Sequence, residues 1–258
     1  MSASWLESRR DGRLLRLTLN RPEKRNALNL ALCRELTAAV EQADADPSIG
    51  AVLLAGSGSA FCAGMDLSET LSPEAAALAP VHEQLFTLGM RVATPIIAAV
   101  QGPALAGGTG LVANAHLVVA SESATFGLTE IKIGLWPFLV FRAVVLAIGE
   151  RRAVELSLTG RTINAVQAAQ IGLIHEVTAT AELDRRATEV AAGIAGSSPS
   201  AIQSGLRFVA ECRGRSWSEG GAIAQRFREE LFRSGDFAEG VRAFHEKRLP
   251  RWPSAAGE

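Results

Sequence analysis

The arrangement of hydrophobic and polar residues predicts strands in the first half of the chain and helices in the second. Residues Arg13–Asn20 alternate apolar and polar side chains, which indicates a strand with one buried face. Two short apolar runs, Ala51–Ala55 and Pro95–Val100, are typical of strands covered on both faces. From Leu139 onward helical patterns dominate. This order favours an α/β core followed by a helical region.

The domain organisation follows from the same pattern. Ser68–Pro80 mixes Ser, Pro and Ala and is expected to form an irregular, mobile connection before a helix over Val81–Val92. The Ser197–Ser200 segment is the best boundary, and it divides the chain into a core of residues 1–197 and a helical region of residues 198–258. Helices after this boundary would have little sheet to cover, so we expect them to pack against a partner chain.

Composition and charge argue against several classes of function. The 258 residues are 48% hydrophobic and 21% charged, as in soluble globular proteins. A net charge of −1 argues against a general binder of nucleic acid or membrane surfaces. No apolar run is long enough to span a bilayer, and the N-terminal segment lacks the apolar core of a signal sequence. We therefore expect a cytoplasmic protein.

Cysteine and histidine spacing gives no sign of a metal site. The three cysteines are far apart and the four histidines form no metal-ligand pattern, so no metal is expected. Cys62 lies in a glycine-containing turn and is a candidate nucleophile. No histidine is near it in sequence, however, and a small buried thiol is its more ordinary role.

Two glycine-containing turns each follow a predicted strand. Ala60–Leu67 (AFCAGMDL) follows the first apolar run, and Gln101–Gly110 (QGPALAGGTG) follows the second. Glycine lets the backbone approach a ligand closely, and a helix that starts at Gly107 directs unpaired N–H groups at whatever lies in front of it. Two such turns could present two N–H donors to one oxygen, as an oxyanion hole requires. Each turn alone is also compatible with tight packing.

Glu130 is the candidate acid–base residue. It lies among apolar residues in the segment FGLTEIKIG. A carboxyl group in a poorly solvated pocket has a raised pKa, so it can take up and return a proton near neutral pH. The alternative is a surface glutamate paired with Lys132, and the local sequence leaves both open.

Six segments, in order, carry a family resemblance: LNRPEKRNALN, AFCAGMDL, QGPALAGGTG, ATFGLTEIKIGLWP, LTGRTINAVQAAQIGLIHEV and EGVRAFHEKRLPRW. Through them the chain resembles the enoyl-CoA hydratase/isomerase (crotonase) superfamily over essentially its whole length. The resemblance implies an α/β fold, a crotonase-like spiral of ββα units with a C-terminal helical trimerisation region. It also implies a homotrimer or a dimer of trimers.

The resemblance implies an acyl-CoA thioester as substrate, with coenzyme A entering as part of it and no separate cofactor. The catalytic groups would be Glu130 and the backbone N–H groups of Met65 and Gly107, which would hold the thioester oxygen. The alternative for the cationic side chains among the implied coenzyme A contacts is that they are solvated surface charges. The implied coenzyme A contacts are Lys24, Arg25, Ala27, Ala63, Gly64, Asp66 and Leu67, together with Lys247 and Arg248 near the C-terminus, where a neighbouring subunit often reaches the phosphates.

The chain departs from the hydratases of this superfamily at Gly110. Those enzymes carry two glutamates twenty residues apart; here Glu130 occupies the second position and a glycine the first. Hydration is served well by two carboxylates that share one water, whereas moving a double bond needs one base that returns the proton elsewhere. We therefore expect a 3-enoyl-CoA/2-enoyl-CoA isomerase. Phe138 stands where dienoyl-CoA isomerases need a further acidic residue, which disfavours that activity.

Several alternatives stay open. Glu69, Glu74 or Glu83 could bring a second carboxylate into the pocket from the mobile connection. A 2-enoyl-CoA hydratase with one glutamate, another acyl-CoA reaction, and a catalytically silent acyl-CoA-binding protein are all compatible with the sequence. In each case, the segment Trp136–Phe138 is a candidate wall of the acyl pocket.

Overall fold

A computed structural model describes residues 5–255 of the chain. Six strands form the main sheet: β1 Leu6–Asp11, β2 Leu14–Leu19, β3 Ala51–Gly56, β4 Ile96–Val100, β6 Leu117–Ser121 and β9 Glu176–Thr178. They lie in the order β1-β2-β3-β4-β6-β9. The first two strands form an antiparallel hairpin, and every later pair of neighbours is parallel.

A smaller sheet supports the region where the two glycine-containing turns meet. It contains β5 Ala104–Leu105, β7 Thr125–Gly127 and β8 Ile163–Asn164, in that order. β5 and β7 are parallel, and β7 and β8 are antiparallel. The N–H of Ala106 donates to the carbonyl of Gly127 at 2.8 Å, which fixes the start of the following helix relative to the segment that carries Glu130.

The helices pack on both faces of the main sheet and extend beyond it. Among the described helices, none is both long and apolar enough to cross a membrane. Their bounds are α1 Leu30–Ala45, α2 Leu78–Leu85, α3 Leu88–Arg91, α4 Gly107–Asn114, α5 Phe138–Ile148, α6 Glu150–Thr159, α7 Ala165–Gln170, α8 Leu183–Ala195, α9 Pro199–Cys212, α10 Trp217–Phe232 and α11 Gly235–Glu246.

The side chains of β3 show why its apolar run is continuous. Val52 and Leu54 point into the larger core, whereas Leu53 points into a smaller core on the other face. Helix α8 covers that second face with small residues four positions apart, which allow close approach to the sheet. The predicted doubly covered strand is therefore confirmed.

The C-terminal helices leave large apolar side chains exposed. Trp217 is 98% exposed, Phe244 81% and Leu249 87%. Within this region, the buried carboxylate of Asp236 joins the two ends of the segment, because it accepts hydrogen bonds from the hydroxyls of Ser198 and Ser254. The boundary at residues 197–198 and the assembly into trimers remain predictions.

The structure corrects two sequence predictions and adds one strand that was not predicted. The Ser68–Pro80 connection is not irregular, because it contains 3₁₀ turns at Leu67–Glu69 and Pro73–Ala77 and the first residues of α2. The helix predicted over Val81–Val92 is divided into α2 and α3. Strand β1 was not predicted, because five of its six side chains are exposed and it lacks the alternating apolar pattern.

Candidate active site

The two glycine-containing turns run side by side. Cys62 and Ala104 form a parallel bridge, in which the Cys62 N–H donates to the Pro103 carbonyl at 3.2 Å and the Leu105 N–H donates to the Cys62 carbonyl at 2.9 Å. The turns therefore lie at neighbouring strand ends, as the sequence predicts. Met65 and Gly107 follow at equivalent positions on the two segments.

Gly64 is required where the two turns touch. Its φ is +96°, and a Cβ atom there would lie 2.8 Å from the Cβ of Ala106 and 3.2 Å from the nitrogen of Gly107. Both the backbone conformation and the space exclude a side chain. The close contact brings the peptide that precedes Met65 next to the first turn of α4.

The N–H groups of Met65 and Gly107 have no acceptor in the described part of the chain. Ala106, which precedes Gly107, has φ 51° and ψ −118°, a conformation that is costly for a residue with a side chain. This conformation sets the orientation of the next peptide. Because Gly107 opens α4, its N–H also lies at the positive end of a helix.

Glu130 lies at the start of a 3₁₀ turn, Glu130–Ile133, which follows the end of β7 at Gly127 after a short connection. It is 8% exposed, and its Oε2 has no hydrogen-bond partner among the described residues. Burial raises the pKa of Glu130 to about 6. The surface alternative, with Lys132 as partner, is wrong. The carboxyl group is instead poised to exchange a proton close to neutral pH.

One cavity of about 430 Å³ joins these features. Its lining is almost entirely apolar, and its titratable side chains within the described residues are Glu130 and His82. The segment Trp136–Phe138, predicted as a wall of the pocket, lines this cavity. The lining residues are Ala63, Met65, Leu67, Ala79, His82, Phe86, Ala106, Gly107, Thr129, Glu130, Ile133, Leu135, Trp136, Pro137, Phe138, Leu139 and Val140.

The position of the missing glutamate is filled by other side chains. A Cβ atom at Gly110 would lie 2.4 Å from Cγ1 of Val140 and 3.2 Å from Cδ1 of Phe86. The nearby Thr109 hydroxyl is bound to the Ala104 carbonyl, and the Asn114 amide donates to the Gly110 carbonyl. No polar group in the described chain takes the place of that carboxylate.

The three glutamates that were candidates for a second carboxylate, Glu69, Glu74 and Glu83, lie outside the cavity lining. Glu69 accepts from the Leu30 N–H at 2.7 Å, and Glu83 forms an ion pair with Arg142 at 3.2 Å. Glu74 is exposed, and none of the three lines the cavity. Glu130 is therefore the single carboxylate among the described cavity-lining residues.

Cys62 does not act as a nucleophile in this arrangement. The side chain is fully buried, and burial raises its pKa to about 12. The thiolate is therefore negligible near neutral pH, and Cys62 does not line the cavity. Its role is in the bridge that joins the two turns.

The predicted coenzyme A segments near the start of the chain lie next to the first turn. The Ala63 N–H donates to the Arg25 carbonyl at 2.9 Å, and Leu28 pairs with Met65 in a parallel bridge. Lys24 and Arg25 are exposed. Neither side chain lines the cavity, so their predicted coenzyme A contacts stay a prediction.

Asp66 lies in a buried ion pair that the sequence analysis missed. Its Oδ2 accepts from Arg21 at 2.9 Å, and its Oδ1 accepts from the Ser68 hydroxyl at 2.7 Å. Arg21 also donates to the Ala27 carbonyl at 2.6 Å. The pair joins residues 45 positions apart, so no local pattern announces it. In this structure, Asp66 braces the first turn.

Lys247 and Arg248 are not brought to the cavity within one chain. Lys247 is exposed at the end of α11, and Arg248 forms ion pairs with Glu239 at 2.6 Å and Glu246 at 2.5 Å. Neither lines the cavity. Their predicted contact with a neighbouring subunit's ligand stays a prediction.

The enoyl-CoA hydratase/isomerase family model matches residues 9–255. The chain belongs to the enoyl-CoA hydratase/isomerase family. It is 38% identical over 250 residues to enoyl-CoA hydratase EchA19 of Mycobacterium tuberculosis, covering 94% of each chain. It is 36% identical over 246 residues to mevalonyl-coenzyme A hydratase sidH of Aspergillus fumigatus, covering 93% of this chain and 91% of that protein.

Solved structures agree with this family assignment. A crystal structure of enoyl-CoA hydratase from Mycobacterium smegmatis matches with a TM-score of 0.92 and 32% identity, over 96% of this chain and 99% of that one. The predicted crotonase-like α/β fold is therefore confirmed.

Proposed function

We propose that this family member is a 3-enoyl-CoA/2-enoyl-CoA isomerase whose acid–base residue is Glu130. The observation that carries the proposal is the single carboxylate of the cavity. It is buried and partly unpaired, and Val140 and Phe86 occupy the space that a second carboxylate at position 110 would need.

In the proposed reaction, Glu130 removes a proton from C2 of a 3-enoyl thioester. The C–H electron pair forms a dienolate, and negative charge gathers on the thioester oxygen. The N–H groups of Met65 and Gly107 stabilise that charge, each contributing a few kcal/mol in the transition state. The protonated Glu130 then delivers the proton to C4, which leaves the double bond between C2 and C3. The reaction consumes no water and needs no redox partner.

We propose that the coenzyme A moiety lies along two adjacent segments, residues 24–27 and residues 63–67. Lys24, Arg25 and Ala27 would meet its nucleotide part, and residues 63–67 its adenine and pantetheine. The adjacency of these segments supports this placement. Lys247 and Arg248 would act from a neighbouring subunit. The exposed apolar side chains of the last helices support a trimer, and three free cysteines support a reducing, cytoplasmic location.

Hydration of 2-enoyl-CoA is the second candidate. It is favoured by the names of the relatives, since the proteins of Mycobacterium tuberculosis and Aspergillus fumigatus are both named hydratases. A single carboxylate in a site of this shape would then have to manage both water and the α-carbon proton.

Parallel assays on 3-hexenoyl-CoA and crotonyl-CoA test the proposal. We expect rapid conversion of 3-hexenoyl-CoA to the 2-enoyl thioester and slow hydration of crotonyl-CoA. Rapid turnover of crotonyl-CoA alone would favour the hydratase. Binding of both thioesters without turnover or α-proton exchange would indicate a silent binding protein.

A further inference from the structure

His82 is a second buried polar group of the acyl cavity. It is 5% exposed, it lines the cavity, and its Nε2 has no hydrogen-bond partner within residues 5–255. Burial lowers its pKa below the usual value, so the imidazole is neutral near pH 7. It therefore has one donor and one acceptor nitrogen to satisfy.

The helix around His82 holds it beside the oxyanion side of the cavity. Phe86 follows one turn later, and the two ring centroids are 5.8 Å apart. The ring of Phe86 would be 3.1 Å from a Cβ atom at Gly107. An ion pair between Glu83 and Arg142 ties α2 to α5. His82 thus belongs to the wall that reaches the start of α4.

An imidazole nitrogen buried in this place needs a hydrogen-bond partner. A buried polar atom without a partner costs about 1–3 kcal/mol, and an apolar side chain of similar size would avoid that cost. Proton transfer between carbons by Glu130 gives His82 nothing to bind. A bound oxygen that can both accept and donate a hydrogen bond would satisfy it.

We propose that His82 binds a hydroxyl-type oxygen inside the acyl cavity, either a hydroxyl substituent of the acyl chain or a water molecule that adds to it. This inference rests on the proposed acyl-CoA function and extends it. It makes His82 a specificity-determining residue for oxygen-bearing acyl groups, or the water-holding residue of a hydration side reaction.

The first test compares ligands that differ by one oxygen. In a Glu130→Gln background, which prevents turnover, calorimetry would measure Kd for hexanoyl-CoA and for its 3-, 4- and 5-hydroxy derivatives. If His82 binds a substituent, one hydroxy derivative binds about 3- to 10-fold more tightly than hexanoyl-CoA, and His82→Leu removes that preference. The exposed His245→Leu serves as the control. His82→Gln, which keeps a donor and an acceptor, retains part of the preference and guards against a folding defect.

The second test detects water. With Glu130 intact, His82→Leu is expected to lower crotonyl-CoA hydration about 100-fold while isomerisation of 3-hexenoyl-CoA changes only a few-fold. Either selective loss supports the inference and identifies the source of the oxygen. Equal weakening of all ligands and both reactions, or no change in any, overturns it. Wild-type protein that binds no acyl-CoA would overturn the proposed function as well, whereas normal isomerisation with an inert His82 overturns only this inference.

Discussion

Asp66 and Glu130 are two carboxylates with almost the same burial, 9% and 8% exposed, and opposite behaviour. At Asp66 burial opposes ionisation, but hydrogen bonds from Ser68 and the ion pair with Arg21 overcome it and lower the pKa. Among the described residues, Glu130 has no such side-chain partners and only its own backbone N–H nearby, so burial raises its pKa to about 6. The hydrogen-bonding and charged partners of a carboxylate, together with its desolvation, therefore decide whether it stays ionised or exchanges protons.

The site therefore has two parts. The frame, which contains Arg21, Asn26 and Asp66, has polar groups that are hydrogen-bonded within the protein, whereas the cavity has buried polar groups without such partners. In the frame, Asn26 donates to the carbonyls of Ser57 and Ala60 and accepts from the Arg21 N–H. In the cavity, Oε2 of Glu130 and Nε2 of His82 have no hydrogen-bond partner in the part of the chain that the structure describes. We infer that the frame holds the turns in register, whereas the substrate supplies the partners that the cavity lacks.

The largest expected effect comes from removing the unsatisfied carboxylate. Glu130→Gln keeps the shape of the side chain but cannot carry the proton, so kcat for 3-hexenoyl-CoA should fall about 10³- to 10⁴-fold. Steady-state assays measure this, and the exposed Glu122→Gln is the matched control. A loss of less than tenfold would assign the proton transfer to another group.

Breaking the frame should affect stability more than chemistry. Arg21→Met leaves the Asp66 carboxylate buried without its cation and should lower the free energy of unfolding by about 3–5 kcal/mol. Chemical denaturation measures the loss. The double variant Arg21→Met/Asp66→Asn should recover part of it, and equal stability of wild type and single variant would contradict the role of the pair.

The contact between the two turns can be tested by adding one methyl group. Gly64→Ala places a Cβ atom against Ala106 and the Gly107 nitrogen, so it should separate the two N–H donors and lower kcat about 100-fold. Gly12→Ala is the control, because Gly12 also has positive φ but no atom of the described residues lies within 4 Å of the added atom. An equal, small effect of both substitutions on kcat would show that the donors do not act together.

A smaller effect concerns stability at the cavity. In the folded protein the pKa of Glu130 is about 6, against 4.5 for an unperturbed glutamate side chain. Stability from this group is present below pH 4.5 and is lost as the pH rises through 6. Glu130→Gln should therefore increase the free energy of unfolding by about 2 kcal/mol at about pH 8 and by almost nothing at about pH 4. Identical pH profiles of unfolding would mean that the carboxyl is not desolvated.

The sequence predicted the parts of the site that depend on local backbone chemistry. Gly64 and Gly107 mark turns after apolar strands, and Glu130 stands out as a charge in an apolar segment. The absence of a carboxylate at Gly110 is visible in the sequence, but the filling of its space by Val140 depends on how α5 packs on α4.

The missed features depend on contacts between distant segments. Arg21 and Asp66 meet only because two loops fold together. His82 lies among the apolar residues Leu78, Val81 and Leu85, and the burial of that helical face is the signal that could have identified it. A carboxylate was expected as the second polar group from residues 68–83, and the histidine at position 82 was not predicted.

The pH dependence of kcat/KM for 3-hexenoyl-CoA tests the central claim most directly, because it reports the ionisation of the base in the free enzyme. Glu130 must be deprotonated to accept the C2 proton, so the rate should rise about tenfold per pH unit at low pH and level off above a midpoint of about 6. Glu130→Gln should abolish this rise. A wild-type profile that is flat through this range, or a rise that persists in the variant, would contradict a single buried carboxylate as the base.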